Sequence, residues 1–226
     1  LGACAMAGTS LPIDRHRSAE LLGFEAPIDN AMDAVSARDH EQEVAAACAI
    51  CMNHLSRMAE ELVWWSSAEF DLVQLSDDYT TGSSIMPQKR NPDSVELVRG
   101  KAALVQGCAM MLLSLVKAQP LSYNRDLQEG RAPLFEAVMA THDSVALMTG
   151  VWSTLEFRPD RFSSELEGDF SLATEIADFL VLKGVDFRTG HSVAARIVRW
   201  CEENNGDLRL LTPEVAREFH PALDAD

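Results

Sequence analysis

A heptad-like seam constrains this chain more than any other feature of its sequence. Across residues 36–76, apolar side chains recur at Val44, Cys48, Cys51, Leu55, Met58, Leu62 and Trp65, with spacings that alternate four and three. That period belongs to an α-helix packed along its length on other helices. An uninterrupted helix over 36–76 would span about 60 Å at 1.5 Å per residue. Such a rod cannot bury its own stripe, so a bundle is expected.

Two further rods are marked by their ends. Asn91-Pro92 opens a helix expected over 93–118, and Gln119-Pro120 closes it. Proline suits the first helical position and the residues just past the last. A third rod is expected over 131–156, stopping before Arg158-Pro159. Beyond Pro159 the texture changes to short helices at 159–166, 172–183, 189–204 and 213–219, punctuated by Gly168, Gly184 and Gly206. The expected fold class is all-α: an elongated bundle of long helices over 1–157, then a small C-terminal helical domain over 158–226. Neither a strand pair nor an internal repeat is read from the sequence.

Composition narrows the function classes. Hydrophobic residues at 47% and charged residues at 24% describe a globular chain rather than a disordered one. A net charge of −16 argues against nucleic acid as a partner, because binding it needs a basic face to replace counterions. Residues 85–131 run against that balance, with seven basic residues and four acidic ones. A basic segment in an acidic chain suits a pocket for a small polyanion, and equally a solvated face. Five cysteines form no paired framework. Cys48 and Cys51 lie inside the apolar helical run with no second pair downstream, so packing is expected there rather than zinc or redox chemistry. A reducing, cytoplasmic setting follows. The longest apolar run, around 108–116, stops short of the roughly 20 residues a membrane span needs, so no membrane partner and no secretory leader is expected. The first residue is Leu1 rather than methionine, so the natural start of the polypeptide is expected elsewhere.

The chemistry concentrates in the loop 80–92 between the first two rods, Thr-Thr-Gly-Ser-Ser-Ile-Met-Pro-Gln-Lys-Arg-Asn-Pro. Small hydroxyl residues beside Gly82 make a backbone that can move, and Met86-Pro87 stiffens the next step. Lys89 and Asn91 follow just before a helix N-terminus, which attracts anions through its free N–H groups and macrodipole. A mobile hydroxyl, a lysine, an amide and a helix start can together bind and deprotonate a carboxylate substrate. The same string also suits an ordinary inter-helix loop with Asn91 as helix cap and Lys89 in solvent.

Gly82-Ser83-Ser84-x-Met86-Pro87-x-Lys89-x-Asn91 resembles the signature of the aspartase/fumarase superfamily at each of its seven specified positions. Other segments resemble the argininosuccinate lyase branch: Leu11-Pro12-Ile13-Asp14-Arg15, Met32-Asp33-Ala34-Val35-Ser36 through Arg38-Asp39, Tyr123-Asn124-Arg125-Asp126-Leu127-Gln128-Glu129, and Phe170-Ser171-Leu172-Ala173-Thr174 with Ala177-Asp178. These segments are spread over nearly the whole chain.

The resemblance implies a carbon–nitrogen lyase that cleaves argininosuccinate to arginine and fumarate without a cofactor or a metal. It implies that Ser83 is the base, acting as an oxyanion once the loop closes, with Ser84 the lesser candidate. Lys89 would stabilise developing negative charge, Asn91 would bind a substrate carboxylate, and Glu96 would orient a catalytic histidine. Tyr123 and Gln128 would contact the amino-acid part of the substrate. Arg131 stands where the branch is expected to carry lysine, and the expected Gln-Glu-Asp-Lys reads Gln128-Glu129-Gly130-Arg131, so the leaving amine is open. The proton-donating histidine of the family lies in a segment upstream of this chain. His16, His40, His54, His142, His191 and His220 all lie outside that motif, and His142 is expected to be packed or half-exposed. The family further implies a homotetramer whose active sites draw on three subunits. The chain is thus expected to be a fragment or one component of a split enzyme, its site completed by other chains. The alternatives are a related lyase for another N-substituted aspartate and a non-catalytic structural subunit.

Overall fold

The computed structural model describes residues 4–6, 8–166 and 169–224; Gly168, one of the expected punctuating glycines, lies outside them. Helices dominate, in two compact units, 1–157 and 158–226.

The first unit opens with two short helices, α1 (Arg15–Leu21) and α2 (Ala31–Ser36), each capped by the side chain before it, Asp14 on Arg17 N and Asn30 on Met32 N and Asp33 N. The first long rod, α3, runs Asp39–Trp65 rather than unbroken over 36–76. At its start Ala37 is extended, so Ser36 ends α2 instead. At its end Ser66 and Ser67 offer the backbone other partners: Ser66 Oγ donates to Val63 O, and Phe70 N donates to Ser67 Oγ. Leu72 N then returns to Trp65 O at 2.8 Å, past Asp71 at a φ of 49°.

The seam is also offset from the expected one. Ala45, Met52, Ala59 and Leu62 are buried, with Cys48, Ala49 and Leu55 packed beside them, whereas Val44 and Met58 are exposed. Small residues at 45, 49 and 59 let α3 lie close to its neighbours. Cys48 packs against this core as a free thiol, and Cys51 is a half-buried one.

The middle rod of the unit, α4 (Asp93–Leu115), packs on both α3 and α5 (Arg131–Ser153). Val95, Val98, Ala102, Val105, Cys108, Ala109 and Leu112 form its buried stripe. The apolar run at 108–116 therefore belongs to a 23-residue helix that by length and composition could cross a membrane, which corrects the sequence reading. Its charged residues, Asp93, Glu96, Arg99 and Lys101, all fall in the N-terminal half. In this fold it is the helix that its neighbours share.

Two short strand pairs were not anticipated. β1 (Val73–Gln74) pairs antiparallel with β4 (Glu156–Phe157), and β2 (Thr81–Gly82) with β3 (Arg90–Asn91). Two residues are too few to show an alternating pattern. β4 occupies the end of the expected third rod, which stops at Ser153.

The second unit holds α6 (Pro159–Leu166), α7 (Ala173–Leu182), α8 (Phe187–Glu203) and α9 (Pro213–Phe219). Leu180, Val193, Ile197, Cys201, Ala216 and Leu223 form its core. Asp186 caps α8 through Thr189 N, and Thr212 caps α9 through Val215 N.

Candidate active site

The loop 80–92 is a hairpin whose arms are β2 and β3, with Thr81 opposite Asn91 and Gly82 opposite Arg90. Its base is tied to the bundle at three points. Thr81 Oγ1 donates to Asp93 Oδ2 at 2.8 Å, Ser94 Oγ donates to Tyr79 O, and Arg90 forms a two-pronged ion pair with Asp77. That carboxylate, bonded to the Arg90 guanidinium, raises the guanidinium above its ordinary range. Tyr79 is seated in turn on α5: a Cβ at Gly150 would stand 1.9 Å from its hydroxyl oxygen.

Within the hairpin, Ser83 Oγ accepts two backbone hydrogen bonds, from Ile85 N at 3.2 Å and Met86 N at 3.1 Å. Two N–H dipoles thus converge on one hydroxyl oxygen, as they would on an oxyanion. The sequence reading missed these donors, because any residue but proline supplies an N–H and only the turn aims it. Ser84 and Ile85 are exposed at the tip, and Lys89 is exposed beyond them. Asn91 does not cap α4: the cap position is Pro92, and no side chain bonds there. Glu96 sits one turn into α4 with its carboxylate 3.9 Å from Arg99, whose stronger partner is Glu60 of α3. Hydrogen bonds from Arg99 and Trp64 hold the Glu60 carboxyl below its ordinary range.

The other predicted residues gather at the opposite end of α4. Gln128 Nε2 donates to Tyr123 Oη at 2.7 Å, and exposed Arg131 begins α5 next to them. Ser122 fixes Tyr123 in place. It is buried, has a φ of 73°, donates through Oγ to Met6 O, and donates through its backbone N–H to Met32 O. Nothing in the sequence marks that left-handed serine. Gly130 is tight: a Cβ there would lie 3.1 Å from Leu115 Cδ2 and 3.4 Å from Glu41 Oε2.

The structure therefore brings together Ser83, Lys89, Asn91 and Glu96 around the start of α4, and Tyr123, Gln128 and Arg131 beyond its end. Twenty-three residues of helix separate the groups by about 35 Å. Among the histidines, His142 is exposed rather than packed, with Nδ1 3.1 Å from Asp143 Oδ1.

A lyase family model matches residues 1–107, and one for the C-terminal region of argininosuccinate lyase matches 170–226. The chain is 50% identical to the argininosuccinate lyase of Parasynechococcus marenigrum over 227 residues, all of this chain and 48% of that protein. It is 50% identical to that of Symbiobacterium thermophilum and 48% to that of Thermus thermophilus, again over all of this chain and 49% of each. The chain thus spans about half the length of the curated relatives it matches. Among solved structures, EDDS lyase in complex with formate superposes with a TM-score of 0.82 at 32% identity, over 99% of this chain and 44% of that one. The class II fumarase of Schistosoma mansoni shares the fold at a TM-score of 0.74 and 17% identity, over 98% of this chain and 51% of that one.

Proposed function

This chain belongs to the argininosuccinate lyase family of the aspartase/fumarase superfamily, and from that premise we propose that it is the C-terminal portion of an enzyme that eliminates fumarate from argininosuccinate and releases arginine. In this reaction the base removes a proton from the carbon beside a carboxylate, the C–N bond on the neighbouring carbon breaks, and a proton goes to the departing nitrogen. Atoms balance without a redox partner. Negative charge builds on the carboxylate, so the site needs a base and fixed positive or hydrogen-bonding groups around it.

The observation that carries this reading is the Ser83 hydroxyl oxygen lying on the N–H groups of Ile85 and Met86. A serine hydroxyl is too weak an acid to ionise unaided near neutral pH, and donors already aimed at its oxygen lower the cost of the anion. Lys89 adds a positive charge to the same hairpin. Asn91, not engaged as a cap, is available to a substrate carboxylate. Glu96 serves to orient the histidine that gives a proton to the departing nitrogen, supplied by a segment upstream. Tyr123, Gln128 and Arg131 bind the amino-acid part of the substrate.

The separation of about 35 Å between the two clusters exceeds the reach of any such substrate. Each working site therefore combines the Ser83 end of one chain with the Tyr123 end of another, in a homotetramer or an assembly with chains that supply the N-terminal half, working in the cytoplasm. The test is fumarate release, followed by ultraviolet absorbance, from argininosuccinate with this chain alone and with its upstream half. Turnover in the assembly and none after Ser83→Ala supports the reading; turnover unchanged by that substitution overturns the base. Turnover by this chain alone would mean that one of its own histidines donates the proton.

One observation favours a second reading, a lyase for a different N-substituted aspartate. Gly130-Arg131 replaces the expected Asp-Lys beside Gln128, in the cluster assigned to the leaving amine. The solved structure of an EDDS lyase variant, 30% identical to this chain, has bound fumarate, which accords with a shared fumarate half. Higher kcat/KM on another N-substituted aspartate than on argininosuccinate would select this second reading.

A further inference from the structure

The hairpin that bears Ser83 has a register it cannot set by itself. Its ladder is two residues long on each side, and so short a pair is marginal alone and prone to slip. In a strand, neighbouring side chains point to opposite faces. Arg90 lies between Lys89 and Asn91, so the face that Arg90 takes decides the face that Asn91 presents. Arg90 is held on the Asp77 side through Nε to Oδ1 at 2.5 Å and Nη2 to Oδ2 at 3.1 Å. Across the ladder it faces Gly82, which offers no side chain to compete. On the opposite face Thr81, the cross-strand partner of Asn91, is tied to Asp93. A one-residue slip would break both ties at once and turn Asn91 toward Asp77.

We propose that the Asp77–Arg90 ion pair is the register lock of this hairpin, with Asp77 a positioning residue that acts through Arg90 to aim Asn91 and the segment 83–89. What those residues are aimed at rests on the reading given under Proposed function; the lock itself does not. Asp77 belongs to the 3₁₀ turn Asp77–Tyr79, capped by Ser76, whose last residue is seated on Gly150. The lock thus refers the hairpin to a turn that is itself packed on α5. Two-pronged guanidinium–carboxylate geometry suits the task, because it fixes orientation as well as distance.

The test is hydrogen exchange by mass spectrometry on the assembled full-length protein, in peptides covering 81–91, with α5 peptides as the reference for intact folding. Both partners are exposed, at 51% and 72%, so Asp77→Asn and Arg90→Gln should each speed exchange by only about threefold. Asp77→Glu, which keeps the charge, should stay near the wild type. Salt at about 0.5 M should speed exchange in the wild type and not in Asp77→Asn. In fumarate release, kcat should fall and KM rise together in Asp77→Asn and recover in Asp77→Glu, as expected for a residue that positions binding and reacting groups at once. Unchanged exchange in both neutral variants overturns the lock whatever the activity. Faster exchange with unchanged kcat and KM overturns the positioning role. A wild type that releases no fumarate fails the proposed reaction, and exchange alone then decides the lock.

Discussion

Ser83 is a small residue with a demanding task under the proposed reaction, and two neighbours matter more to it than its own composition. The N–H groups of Ile85 and Met86 reach its oxygen only because the chain turns sharply before Pro87. Ser83→Ala should lower kcat for fumarate release roughly a hundred- to ten-thousand-fold, the range for loss of a positioned base. Substrate affinity, read by calorimetry, should change far less. Ser84→Ala should cost much less than Ser83→Ala, because Ser84 Oγ lacks those two donors. A reversed order of the two effects would move the base to Ser84. Gly130 makes a separate prediction. A side chain there would press on Leu115 and bring any carboxylate against Glu41. Gly130→Asp, which restores the residue expected of the family, should lower stability by about 1–3 kcal/mol in urea unfolding, the usual cost of overpacking. A neutral result would show that Leu115 and Glu41 move aside freely.

Among the elements, α3 and α4 carry most of the bundle, and their fit explains what could be read in advance. The long rods were legible because a period near 3.5 persists over many turns and because Pro92, Pro120 and Pro159 stand at breaks. The buried edge of α3 was not. Val44 and Ala45 both fit a helical stripe, and only the tertiary partner selects Ala45. The hairpin was legible as a motif but not as a hairpin, since its ladder is shorter than the pattern that would reveal it. Met52 lies at the centre of the α3 stripe and is fully buried. Met52→Ala should cost about 2–5 kcal/mol, measured by the same unfolding experiment. The Glu60–Arg99 pair ties α3 to α4 at the exposed edge and predicts a pH effect. The Glu60 carboxyl is depressed, first by the hydrogen bond from Arg99 and then by that from Trp64. Its contribution is therefore present above the ordinary glutamate range and lost as pH falls through the lowered value. Glu60→Gln should flatten the acid side of the unfolding-midpoint profile and leave its slope near neutral pH unchanged. A profile parallel to the wild type throughout would mean that the pair adds nothing.

At the scale of the molecule, the outer faces of α4 and α5 and the spacing of the two clusters point the same way. Leu97, Leu104 and Met111, seven residues apart on α4, are exposed, as are Phe135 and Met139 on α5. A helix that spends one apolar stripe on its own bundle and shows a second at heptad spacing is suited to pack on another helix. Light scattering at working concentration should therefore show an assembly, and a single monomeric species would contradict it. The separation along α4 turns this from a question of stability into one of catalysis. If each site takes Ser83 from one chain and Gln128 from another, an assembly of Ser83→Ala chains lacks the base everywhere, and one of Gln128→Ala chains lacks the amine contact everywhere. Mixing the two and allowing subunits to exchange creates some sites that have inherited both defects and others that have inherited neither. Fumarate release in the mixture should rise above that of either parent, and the gain should grow with the extent of exchange. Mixtures that stay as poor as their parents after complete exchange would place both residues in the site of one chain, against a helix about 35 Å long that holds them apart.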